Sequence, residues 1–481
     1  MLISLNEIKS YVDIDVETPE LLKLIGSRLV EIEGTTNLSE KYKNIKIVKV
    51  ASAEKIEGTH LTFCKIDDGT KDLTDIVCGA PNVRAGLFAV WLQPGCTVPV
   101  TFGKENFVLD VRKLRGYESH GMLAALDELD LGVDHAGIVE IDPKTAKPGA
   151  DFAKTFGLND IILDIENKSL THRPDCFGVI GFAREIAGIL GKPFKEPELP
   201  TLNPSKNSAI EVKIADQSLC PRYSYAILTV NDATKKSPYL TKDQIFLAKA
   251  GMHSISDIVD ATNIVMLKTG QPLHAFDFDK FKKLGDTLSV RLATDGEKLT
   301  LLDSKTVELV STDILICAGD TPVALAGAMG GESTAIDENT KTILLESATF
   351  SLYHLRKTQM SHGLFTEAIT RFTKGQPTSG TLPALSLCAS LLPAALVSAS
   401  DFYPNPSIPQ KITISADKIN SILGTDYSIE LIEKTLKMSA LRLKSPKTHS
   451  LLPLPPGAPI STLKKISSKK SAVSWATTTF R

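Results

Sequence analysis

The chain has no C-x-x-C pair, no G-x-x-x-x-G-K-[ST] loop, no H-E-x-x-H and no G-x-S-x-G. Zinc ribbons, phosphate-loop nucleotidases, zincin proteases and α/β-hydrolases are therefore excluded as classes. The seven cysteines are odd in number and scattered, which argues against a disulfide framework and for small buried hydrophobes. No apolar run approaches the roughly 18–20 residues that cross a bilayer. The start MLISLNEIKSYVDID carries acids and lysines where a signal peptide needs a cation and then an unbroken apolar core, so a cytoplasmic protein is expected. Internal repeats are lacking as well.

What is present is a chain of 481 residues, enough for about three to four domains. The formal charge of −2 hides an asymmetry. From Lys434 onward there are ten Lys or Arg and no acid, so the first 433 residues hold 44 basic against 56 acidic side chains, a formal −12.

Thr18 and Pro19 open a helix whose face is Leu21, Leu22, Ile25, Leu29 and Ile32, with Gly34 as its stop. Residues 45–141 read as many short strands punctuated by Gly and Pro, the pattern of a small barrel or sandwich. Val179, Phe182, Ala183, Ile186 and Leu190 predict a second helix, ended by Gly191 and Pro193. Residues 195–206 and 404–409 read as linkers. Beyond the second, Ser415 and Ser428 look like N-caps of two short helices.

The string IVDATNIVMLKTGQPLHAFDFDKF, Ile258 to Phe281, sets Thr262, Asn263, Gln271 and His274 among apolar residues. Each must find hydrogen-bond partners or cost about 1–3 kcal/mol, which points to a dense internal network or a ligand. The string closely resembles the editing module of the bacterial phenylalanyl-tRNA synthetase β-subunit family. Further strings resemble the same family in the same order: IVCGAPNVRAG and LRGYESHGMLAALDELDL within residues 45–141, SLTHRPDCFGVIGFAREIAGIL at 169–190, then CPRY, VALAGAMGGE, LLESATF, LRKTQMSHGLFTEA and TRFTKG up to residue 375.

The resemblance implies a multidomain α+β protein. An OB-fold β-barrel tRNA-binding domain, residues 41–149, would be inserted in an N-terminal α/β region of residues 1–40 and 150–200. An editing module at 207–400 and a truncated small helical module at 410–440 would follow. The implied RNA-facing residues are Asn82, Arg84, Lys113, Arg115, Ser119 and His120. The implied editing residues are Thr262, Asn263, His274, Gly330, Glu346, Thr366 and Ala368. In that scheme Glu346 accepts the phenol proton of a tyrosyl group, which phenylalanine lacks, and such a site discriminates strongly. Thr262, His274 and Thr366 hold the ester and the terminal adenosine and orient a water, and Ala368 leaves room for the ring. Arg173, Asp175, Arg184 and Glu185 are expected to be structural.

Two departures from the family pattern stand out. IEGTHL at 56–61 replaces an H-P-N-A-D-like loop, so weak, salt-sensitive RNA binding is expected. Thr373 replaces a Glu that would pair with Arg371. The implied activity is that of phenylalanine–tRNA ligase, with a catalytic α subunit and tRNA(Phe) as partners; ATP and Mg2+ serve the complete synthetase, with no cofactor or metal on this chain. A free-standing tRNA-binding or trans-editing fragment is the alternative. After about residue 440 the family's P-x-W-R-P-D-I motif and E-D-I-I-E-E-I-G helix are replaced. Codons GAA GAT ATC ATC GAA GAA ATC GGC, read one nucleotide later, give K-I-S-S-K-K-S-A, which is Lys465 to Ala472. Residues 441–481 are thus expected to be an aberrant basic tail in a shifted frame, rich in Pro, Ser and Lys and poorly packed.

Overall fold

The computed structural model describes residues 1–166, 168–205, 209–230, 237–408, 412–438, 442–444 and 450–452. They fall into two compact units. The first comprises residues 1–6, 33–164 and 236–255, the second residues 7–32, 165–235 and 256–481.

In the first unit five antiparallel strands pair in the spatial order Thr74–Cys78, Thr62–Asp67, Ile45–Lys55, Phe88–Leu92, Met122–Leu123. Strict alternation drives this: Thr62, Cys64 and Ile66 turn inward with Val48, Val50, Ile76, Ala89 and Trp91. The long strand Ile45–Lys55 serves two partners and is irregular between Val50 and Ser52, which lets the sheet curl almost into a closed barrel. A hairpin, Val111–Leu114 with Tyr117–His120, turns at Arg115 and Gly116, both with positive φ.

Asp160 binds three separated stretches of this unit. Its carboxylate is fully buried and accepts from the Ser4 hydroxyl at 2.5 Å, the Asn6 backbone N–H at 3.0 Å and the Lys249 ammonium at 2.9 Å. The helix Lys242–Lys249, started by a Thr241–Gln244 capping box, therefore packs in the first unit, within a span expected to belong to the editing module. The expected N-terminal region is likewise shared out, with residues 7–32 and those after 164 in the second unit.

The second unit is layered. A four-stranded antiparallel sheet runs His274–Asp277, Thr342–Thr349, Arg222–Val230, Ala394–Phe402. One face carries Ala226, Leu228, Ile343 and Leu345 against the helices Asp257–Thr269 and Thr381–Leu391. The other carries Tyr223, Tyr225, Phe276 and Leu344 against Leu288, Val290, Ile314, Ile316 and Leu325 of a five-stranded sheet. The alternation of these residues between the two cores is the period-two geometry of a strand buried on both sides.

The helix Val179–Leu190 ends as expected at Gly191, whose φ is +64°. The first helix is shorter than expected. It spans Thr18–Arg28 with Glu17 at the cap position, and Ile32 and Gly34 belong to a strand, Ile32–Asn37. Val30, Ile32, Thr35 and Thr36 are β-branched, which favours an extended strand over two more helical turns. Arg173 donates to Asp175 at 2.8 and 2.7 Å and to Glu185 at 2.7 Å, and Arg184 to Glu196 at 3.2 Å, a structural network. All seven cysteines are buried and unbridged.

Ser415 caps the helix Ala416–Leu423, and Ile429–Met438 follows. This part is not purely helical, because Ile412–Thr413, Ser450–Leu452 and Arg442–Lys444 pair as three short antiparallel strands. The two strands beyond residue 440 are the described part of the expected aberrant tail; the rest of it lies outside the described residues. No helix among the described residues is long and apolar enough to cross a membrane.

Candidate functional site

His274 opens an edge strand of the four-stranded sheet, and its register partner is Glu346; Glu346 is in turn opposite Tyr225. Residues directly opposite share a face, so these three point the same way. Over them lies a cavity of about 60 Å³ lined by His274, Gly330, Glu346, Ala368, Met329 and Phe372, among others.

Gly330 is required by the His274 ring. A Cβ at residue 330 would stand 2.6 Å from both Cε1 and Nε2 of the imidazole, so any side chain would push the ring away. Gly330 sits there because strand Met329–Gly330 folds back on Thr321–Leu325 through a turn at Gly327, φ +64°. The Gly-rich VALAGAMGGE string is thus a tight hairpin that forms a wall.

Burial shifts the two titratable groups in opposite directions. Glu346 is 4% exposed, and burial pushes its carboxyl up to about 7 against the pull of a hydrogen bond from the Tyr223 hydroxyl to Oε2 at 2.5 Å. Burial pushes the His274 imidazole down to about 4, so it is uncharged at neutral pH. Its ring meets Phe276 edge-on, with centroids 4.5 Å apart.

Four of the expected editing residues, His274, Gly330, Glu346 and Ala368, border one cavity. The other three do not. Thr366 caps the helix Glu367–Phe372, accepting from Ile369 N–H and donating to the Ala328 carbonyl at 3.0 Å; it places Ala368 and Phe372 in the wall. Thr262 lies inside the helix Asp257–Thr269 and donates to the Val259 carbonyl at 2.7 Å, with Asn263 on the next position. Gln271 donates to the carbonyls of Pro272 and Ala348 and braces the turn before His274. Much of the polarity of the 258–281 string is therefore internal bonding. Arg371 is 1% exposed and does without an acid at Thr373. It donates to Glu367 Oε2 at 2.5 Å, the Glu367 carbonyl at 3.0 Å and the Phe177 carbonyl at 3.2 Å.

Tyr223 was not among the expected residues. Its signal was the CPRY string followed by Tyr225 two residues on, which places both rings on one strand face.

The expected RNA-facing residues separate into two groups. Asn82 clamps Ile138, accepting from its N–H and donating to its carbonyl, and Arg84 makes a bidentate pair with Glu140 at 2.8 Å. Ser119 is buried, accepts from Val77 N–H and donates to the Gly121 carbonyl; the His120 ring approaches the Asp75 carbonyl at 3.4 Å. Lys113 and Arg115 are exposed at the hairpin tip. Tyr117 meets Phe63 at a tilt with centroids 4.7 Å apart, and Arg112 lies 5.5 Å from the Phe107 ring.

Residues 45–151 match the family model described as "Putative tRNA binding domain", and residues 219–395 match "B3/4 domain". The phenylalanine–tRNA ligase beta subunit of Streptococcus pyogenes serotype M18 is 33% identical over 471 residues, covering 95% of this chain and 57% of the relative. That of Desulfotalea psychrophila is 36% identical over 467 residues, covering 94% and 55%. The chain belongs to the phenylalanine–tRNA ligase β-subunit family. It spans little more than half the length of these family members. An N-terminal fragment of the phenylalanyl-tRNA synthetase β subunit from Pyrococcus horikoshii aligns over 66% of this chain and 88% of its own, at 14% identity and TM-score 0.36. The B3/4 match encloses the cavity, and the tRNA-binding match encloses the five-stranded sheet and its hairpin.

Proposed function

We propose that this chain hydrolyses tyrosine from mischarged Tyr-tRNA(Phe) in the cavity beside His274 and Glu346, and binds tRNA through residues 45–151. What carries the reading is the pairing of an uncharged His274 with Glu346, whose carboxyl burial pushes up to about 7, across one sheet face, at a cavity within the B3/4 span. Glu346 accepts the hydrogen bond of the tyrosyl phenol. Uncharged His274 accepts one from a water and aims it at the ester carbonyl. The water oxygen bonds to that carbon, the bond to the ribose oxygen breaks, and the proton ends on the ribose hydroxyl, releasing tyrosine and intact tRNA. Gly330 keeps the imidazole in place, and positioning supplies much of the rate.

In the first unit the strand Ile45–Lys55 pairs with both the second and the fourth strands, which supports an OB barrel. In this reading an α subunit is the partner that makes Phe-tRNA from ATP, phenylalanine and tRNA with Mg2+. The test is deacylation of Tyr-tRNA by the chain and by His274→Ala and Glu346→Ala. Both variants are expected to fold and to lose roughly 100-fold or more in rate, the scale of a lost positioned polar group. Variants as fast as the parent sink the proposal.

A further inference from the structure

One of the two carboxylate oxygens of Glu346 is already occupied. The Tyr223 hydroxyl donates to Oε2 at 2.5 Å from the adjacent strand, and both side chains are buried. Glu346 is at the same time a wall of the cavity. A carboxylate held at one oxygen by a ring locked in a packed core has a fixed orientation, because its terminal torsion is otherwise broad.

We propose that Tyr223 is a specificity-determining positioning residue: its hydroxyl pins Oε2 of Glu346, so that a substrate phenol is met by Oε1 in a single orientation. The inference rests on the editing reading above. Two phenols, one from the chain and one from the substrate, then share one carboxylate from opposite sides. A phenylalanyl ring offers nothing to Oε1 and leaves that oxygen unbonded, which raises the discrimination beyond what ring shape gives. The titratable groups facing Glu346 are Cys220, Tyr223, Tyr225 and His274. The Tyr225 hydroxyl is committed to the Ile210 carbonyl at 3.0 Å, and Cys220 to the Arg222 carbonyl. Among the described residues the pin is thus Tyr223.

The experiment compares hydrolysis of Tyr-tRNA and Phe-tRNA by the full chain and by Tyr223→Phe across neutral pH, with Tyr225→Phe as a gauge of what losing a buried hydroxyl costs the fold. Tyr223→Phe is expected to raise KM for Tyr-tRNA about tenfold, the scale of one charge-assisted hydrogen bond, at nearly unchanged kcat. Hydrolysis of Phe-tRNA stays at the parent's level. The midpoint of the pH profile for Tyr-tRNA moves upward, since the bond that favoured the carboxylate is gone. Equal losses on both esters, or an unchanged pH midpoint, assign Tyr223 a merely structural role and overturn the proposal. A parent inactive on both esters overturns the editing reading and this inference with it, whereas an active parent with a parent-like Tyr223→Phe overturns this inference alone. If Tyr223→Phe does not fold, infrared bands of the parent that vanish in Glu346→Gln decide: a carboxylate without a hydrogen bond overturns it.

Discussion

Glu346 and His274 are partners on adjacent strands, and burial shifts them in opposite directions. Glu346, raised from an ordinary 4.5 to about 7, favours folding at low pH, and that contribution is lost as pH rises to 7. His274, lowered from 6.5 to about 4, favours folding at high pH, and its contribution is lost as pH falls to 4. Each spans up to about 3 kcal/mol at 1.36 kcal/mol per unit, and the two slopes nearly cancel between. The parent's stability should therefore be almost flat from weakly acid to neutral pH. Glu346→Gln should leave a stability that falls on acidification, and His274→Gln one that falls on alkalinisation. Urea denaturation at several pH values reads both slopes; parallel curves for the two variants would refute the pairing.

Among the elements, the hairpin Val111–Leu114 with Tyr117–His120 separates residues that build from residues that face solvent. Neutralising Lys113 and Arg115 with Gln should weaken tRNA binding about tenfold at low salt and flatten its salt dependence, as fewer phosphate counterions are released. Asn82→Ala should instead lower the melting temperature, because both its amide groups hold Ile138. Filter binding and thermal unfolding distinguish the two outcomes. The same contrast shows what could be read in the sequence. Alternation marked the strands, and Gly191 marked the end of a helix, because both signals are local. The polar residues in IVCGAPNVRAG and LRGYESH looked equally suited to RNA, since nothing local distinguishes an Asn that clamps a carbonyl from one that faces solvent. Tyr223 escaped for a related reason: a buried Tyr reads as core until the fold brings its hydroxyl onto Glu346. The helix Thr18–Arg28 was overextended because Leu29 and Ile32 happen to continue its period.

On the scale of the whole molecule, 95% of the chain aligns with a β subunit of which it spans 57%, so the question of a partner is quantitative. Mixing the chain with an α subunit and analysing the mixture by size exclusion should give co-elution if these residues suffice for assembly. The stability of the first unit depends on a residue far along the chain. Asp160→Ala should cost about 3–5 kcal/mol, because it leaves the buried Lys249 ammonium without its counter-charge. Chemical denaturation measures this, and a change under about 1 kcal/mol would show that the pair contributes little.

Asp160 also sets an order of events during synthesis. Ser4 and Asn6 leave the ribosome first and Lys249 some 240 residues later, so the carboxylate waits half-partnered while residues 165–235 of the second unit are being made. The loop to be closed is long, and its entropy cost grows only slowly with length, so what the delay costs is time, not stability. A nascent chain stalled before residue 249 should hold its first unit open to protease. One released just past it should close.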